Sequence, residues 1–84
     1  MTIDQIKNYG ISTNTWVDLS IAVPHGFLMS NEGYIFTSPT TKLYFEESSE
    51  LVFVRYDNTI GGVEDSTVGK YHCVYDINSI TMIF

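Results

Sequence analysis

A single cysteine, Cys73, is all the thiol the chain carries, so no intramolecular disulfide can staple it. Basic residues are equally scarce: four Lys and Arg stand against ten Asp and Glu, for a formal net charge of −6 and a pI near 4.4. A surface of that sign repels phosphate and anionic lipid, which disfavours direct nucleic-acid binding and membrane attachment. No apolar run approaches the roughly 20 residues that cross a bilayer as a helix. Met1–Gly10 has neither a basic start nor an apolar stretch of signal-peptide type, and together with the lone cysteine this makes a cytoplasmic protein the expectation. Proline occurs only at Pro24 and Pro39, where it punctuates apolar stretches.

Against these absences, 44% of the 84 residues are hydrophobic and 14% aromatic. That is enough apolar surface to offset the entropy of ordering the chain, and disorder is not expected. The length suits a single domain, 1–84, with one core.

Thr2-Ile3-Asp4-Gln5 has the form of a capping box, and Gly10 suits a helix C-terminus, so a short helix is expected over residues 3–9 with Ile3 and Ile6 docked on the remainder. From Trp16 the period becomes two. Val17, Leu19, Ile21 and Val23 alternate with Trp16, Asp18, Ser20 and Ala22 until Pro24-His25-Gly26 ends the strand. Phe27-Leu28-Met29 and Tyr34-Ile35-Phe36 flank Ser30-Asn31-Glu32-Gly33, a hairpin in which Gly33 is expected to take the left-handed position of a three-residue loop. Leu43–Glu46 and Leu51–Asp57 form another pair around Glu47-Ser48-Ser49, with no Gly or Asn to fix the turn type. Val52-Phe53-Val54 is apolar on both faces and reads as an interior strand. An Asn78-Ser79 turn is expected to pair Ile77 with Ile80, Tyr75 with Met82 and Cys73 with Phe84. Residues 57–70, with Gly61, Gly62 and Gly69, read as one long irregular loop. The fold class is therefore α+β and β-dominated: a short N-terminal helix and about six antiparallel strands in hairpin order, forming a strongly bent sheet or a small barrel.

No constellation carries catalysis. His72 and Cys73 are adjacent on a strand, where strict alternation sends them to opposite faces and denies them a shared proton. His25, His72 and a carboxylate do not have ligand spacing on one element, so neither a metal nor any other cofactor is expected. Glu46-Glu47 with Glu50, and Glu64-Asp65, fall in turns without a Lys or His to tune them for acid–base work. Gly61-Gly62 lacks the Lys-Ser/Thr and helix of a phosphate loop.

What is left is acidity, six tyrosines and one long acidic loop beside a β scaffold. These point to a non-enzymatic protein-interaction domain whose partner is basic, with contact residues Asp57, Glu64 and Asp65, extended by Glu46, Glu47 and Glu50. A stoichiometric inhibitor from a phage or mobile element, acting on a nucleic-acid-handling or immune enzyme, is one form such a domain takes. The alternatives are a small-ligand-binding barrel with an aromatic-lined pocket and a homo-oligomeric structural subunit.

Overall fold

The computed structural model describes residues 1–18, 27–31, 33–36, 41–56 and 64–83. Leu19 to Gly26, Glu32, Pro39, Asp57, Ile60 to Val63 and Phe84, all of which enter the expectations above, lie outside the described residues.

Helix α1 runs from Ile3 to Asn8 and is capped as its sequence dictates. The Thr2 hydroxyl accepts the Gln5 N–H at 3.2 Å and the Gln5 carboxamide accepts the Thr2 N–H at 2.9 Å. At the other end Gly10, with φ of +81°, lets its N–H close back on the Lys7 carbonyl at 2.9 Å, a position that costs an L side chain strain. A six-residue helix has no stability of its own. Its hold is tertiary: Ile6 is fully buried, and Ile3 and Met1 pack on the same core.

Nine strands follow among the described residues: β1 Trp16–Asp18, β2 Phe27–Ser30, β3 Gly33–Phe36, β4 Thr41–Glu46, β5 Leu51–Tyr56, β6 Glu64–Ser66, β7 Gly69–Tyr71, β8 Cys73–Asp76 and β9 Ile80–Ile83. All described pairings are antiparallel. The expected single bent sheet or barrel is replaced, among the described residues, by three sheets with the orders β1-β4-β5-β8, β3-β2-β9 and β6-β7.

Alternation sorts the four-stranded sheet into two faces. Val17, Leu43, Val54 and Cys73 lie in register across it, as do Phe45, Val52 and Tyr75. These form the core face, closed by Ile6 and Ile11 and by Ile77, Ile80 and Ile83 from the far end of the chain. The interior placement expected for Val52-Phe53-Val54 is observed: β5 lies between β4 and β8, and all three residues are buried.

Two registers differ from expectation. Ser30 pairs with Gly33, so Gly33 opens β3 instead of closing a three-residue loop. The anticipated final hairpin does not form. Tyr75 faces Val52 and Cys73 faces Val54, while Met82 faces Met29 in the other sheet. A two-residue hairpin turn of the favoured type needs positive φ at both positions, which Asn-Ser serves poorly. The chain instead makes a 3-10 turn at Ile77–Ser79, with the Asp76 carboxylate accepting the Asn78 N–H at 2.8 Å. Ile77 is fully buried there and its N–H donates to the Glu50 carbonyl at 2.8 Å. The turn thus carries the chain from one sheet to the other.

The β4–β5 loop is four residues long, because Glu46 pairs with Leu51, and it closes by placing Glu50 at φ of +56°. A non-glycine residue there costs about 1–2 kcal/mol. Glu50→Gly is therefore expected to raise stability by up to about 1 kcal/mol after the extra entropy of an unfolded glycine, read as a higher denaturation midpoint. A lower midpoint would mean that the Glu50 carboxylate, which accepts from Asn78 Nδ2 at 3.3 Å, outweighs the backbone strain.

Candidate functional site

The outer face of the four-stranded sheet carries what the core face does not. Trp16, Tyr44, Phe53 and Val74 form one row across β1, β4, β5 and β8. The Trp16 and Tyr44 rings meet edge-on at 5.4 Å, and the Arg55 guanidinium lies 4.7 Å from the centre of the Trp16 ring. Each contact is favoured by the ring quadrupoles. Asp18, Lys42 and Arg55 make a neighbouring row on one side, and Glu46, Leu51 and Asp76 make another on the opposite side.

Over this face lies the segment that reads as an irregular loop. Its described part, 64–71, is a hairpin, with Glu64 opposite Tyr71, Asp65 opposite Lys70 and Ser66 opposite Gly69. The turn is built locally. The Ser66 hydroxyl accepts the Val68 N–H and donates to the Gly69 carbonyl, both at 3.1 Å, while Gly69 takes φ of +107°. Two side-chain contacts fix the body of the hairpin to the sheet. The Trp16 indole N–H donates to the Val68 carbonyl at 3.0 Å, and the Tyr71 ring meets Phe53 edge-on at 4.9 Å, leaving Phe53 only 6% exposed.

The six acidic positions singled out from sequence have different fates. Glu64 and Asp65 are exposed on β6, and the Asp65–Lys70 pair, at 3.7 Å with both side chains mostly in water, holds little energy. Glu46 is engaged by the Ser49 hydroxyl and Glu50 by Asn78, both at the end of the sheet where Asp76 also lies. Glu47 is a structural tie. Its carboxylate meets Lys7 at 2.8 Å, Thr13 at 2.8 Å and Asn14 at 3.1 Å, joining α1 and the following loop to the β4–β5 turn. The hydrogen bond from Lys7, followed by that from Thr13, holds its carboxyl below the usual carboxylate range. Asp57 lies outside the described residues. The structure thus brings Glu46, Glu64 and Asp65 to one side of the sheet and assigns Glu47 to holding the fold.

His72 and Cys73 also depart from expectation. His72 falls between β7 and β8, and its N–H donates to the Val54 carbonyl at 2.7 Å although Val54 is already paired with Cys73. Two residues facing one is the geometry of a β-bulge, which breaks alternation. Both side chains consequently engage Tyr56. His72 Nδ1 accepts the Tyr56 N–H at 3.0 Å, with the rings 5.5 Å apart, and Cys73 acts electrostatically on the Tyr56 phenol. Burial, with smaller contributions from Cys73 and Tyr75, pushes the Tyr56 phenol up to about 12. No group of three or more His, Cys, Asp or Glu among the described residues could hold a metal ion.

Sequence reasoning missed the anchoring role of Trp16 and the hairpin it holds. The readable signals were Ser66 three residues before Gly69 and the cross-strand Asp65/Lys70 charges, both set in strands too short to show a period. No protein family, characterised protein or solved structure matches this chain.

Proposed function

We propose that this chain is a non-enzymatic protein-interaction domain that docks its outer sheet face on a basic surface of a larger protein. The observation that supports this is the β6–β7 hairpin. It is pinned to the sheet by Trp16 and Tyr71, and it presents Glu64 and Asp65 to solvent on the face that also carries Glu46 and Asp76. Carboxylates held on a fixed scaffold need little ordering on binding, which favours association. Their field steers a basic partner and accelerates encounter. A protein whose own ligand is polyanionic, such as a nucleic-acid-handling enzyme, has the complementary charge, and occupying that surface would inhibit it.

Reversing both hairpin charges, Glu64→Lys with Asp65→Lys, tests the proposal. Both residues are exposed, so the fold is expected to tolerate the change within about 0.5 kcal/mol. The association rate with a partner captured from lysate and then purified is expected to fall by about 10-fold to 100-fold at low salt, and the wild-type rate to fall as salt shortens the screening length. A rate indifferent to both the double reversal and salt would remove the electrostatic basis of the proposal.

A further inference from the structure

We propose that His72 is a protonation-sensitive hinge that keeps the β6–β7 hairpin closed on the sheet, so that acidification releases the hairpin while the rest of the domain stays folded. A backbone N–H can only donate. The bond from Tyr56 N–H to His72 Nδ1 therefore fixes Nδ1 as the unprotonated nitrogen and puts the ring proton on Nε2. Nε2 is buried and has no hydrogen-bond partner among the described residues.

Protonating the ring adds an N–H at Nδ1, directed at the Tyr56 N–H, and the bond is lost. The new charge arises where the second ring N–H has no acceptor among the described residues. The titratable and charged residues on the adjoining elements are Arg55 and Tyr56 on β5, Glu64 and Asp65 on β6, Lys70 and Tyr71 on β7, and Cys73, Tyr75 and Asp76 on β8. The carboxylates among them are engaged elsewhere or lie in water: Asp76 ends β8 opposite Leu51 and accepts from the Asn78 N–H, and Glu64 and Asp65 are exposed on β6.

The ring's displacement is transmitted by position. His72 directly follows Tyr71, whose ring covers Phe53, and it joins the hairpin to β8 through the bulge at Val54. When His72 leaves Tyr56, the Tyr71 contact shifts with it and the Trp16–Val68 hydrogen bond is left as the other described tie. The effect on partner capture rests on the binding role proposed above, whereas the hinge itself does not.

Trp16 is the only tryptophan, so its emission reports the indole–Val68 contact in the purified full chain. On acidification of the buffer from about pH 8 to about pH 5 the emission is expected to change. The Val68, Lys70 and Tyr71 amides should exchange about 10-fold faster, corrected for intrinsic rates, as expected for one lost hydrogen bond. Circular dichroism should stay constant. His72→Asn, whose amide oxygen can accept from Tyr56 without titrating, should abolish the emission change, and His25→Asn should leave it intact. His72→Phe should open the hairpin already at pH 8. A flat wild-type response, a response that survives His72→Asn, or a simultaneous collapse of the dichroism signal would each overturn the hinge. Failure of these readouts refutes the hinge alone, since no partner is present. A working hinge with partner binding that ignores pH would refute only its link to the binding role.

Discussion

Phe45→Ala is expected to cost about 3–5 kcal/mol. Phe45 is the largest fully buried side chain among the described residues, and it lies on β4 opposite Val52, at the centre of the face against which α1, the 3-10 turn and β9 all pack. Truncation leaves a cavity bounded by two sheets that cannot collapse independently, because Ile77 and Ile80 bridge them. A domain of 84 residues has roughly 4–13 kcal/mol in total, so this one change removes a large share of it. Chemical denaturation should show a midpoint lowered to the edge of the native baseline, or a chain already unfolded in buffer. Phe45→Leu, which keeps most of the volume, should recover much of the loss. A Phe45→Ala protein with a midpoint near wild type would show that the two sheets pack less tightly than their burial implies.

The parts of the fold that were legible in the sequence are those whose causes are local. The capping box at Thr2 and Gln5 and the left-handed Gly10 need only neighbouring residues, and α1 appears where they put it. The triple apolar run Val52-Phe53-Val54 encodes a strand covered on both sides, and the covering of Phe53 is the hairpin itself. Less legible was anything decided between distant segments. The choice between a β8–β9 hairpin and a crossing to the second sheet depends on Ile77 finding the core and the Glu50 carbonyl, which no window around Asn78 reveals. The same holds for the acids. Glu46, Glu47 and Glu50 are near neighbours in sequence, yet Lys7, Thr13 and Asn14, all more than thirty residues away from Glu47, separate it from the other two in role. Opposite-face placement of His72 and Cys73 follows from an unbroken strand, and the bulge at Val54 breaks it.

Trp16→Ala should detach the hairpin without unfolding the domain, and with it should go most of the partner binding although Glu64 and Asp65 remain. Trp16 is half-buried on β1, at the edge of the four-stranded sheet, and it is not part of the buried core cluster. Its removal deletes the hydrogen bond to the Val68 carbonyl, the edge contact with Tyr44 and the seat of the Arg55 guanidinium. These are worth about 1, 0.5–1.5 and 0.5–1 kcal/mol respectively. The hairpin is short, with three residues on each strand, and an isolated two-stranded hairpin is at best marginal in water. Deprived of Trp16, it keeps the Tyr71–Phe53 contact and, at its C-terminal end, the His72 hydrogen bonds to Tyr56 and Val54. Limited proteolysis should then cut within 64–71 at a rate at least about 10-fold above wild type, while the circular dichroism of the remaining strands persists. Trp16→Phe, which retains a ring but no N–H, should fall between the two. If preorganisation of the acids matters, the partner's association rate should fall for Trp16→Ala nearly as far as for the double charge reversal, although the net charge is unchanged. Unaltered protection of residues 64–71 would show that the indole does not hold the hairpin. Increased cleavage with an unaltered association rate would leave the hinge of the hairpin intact as a structural feature and remove it from the binding surface.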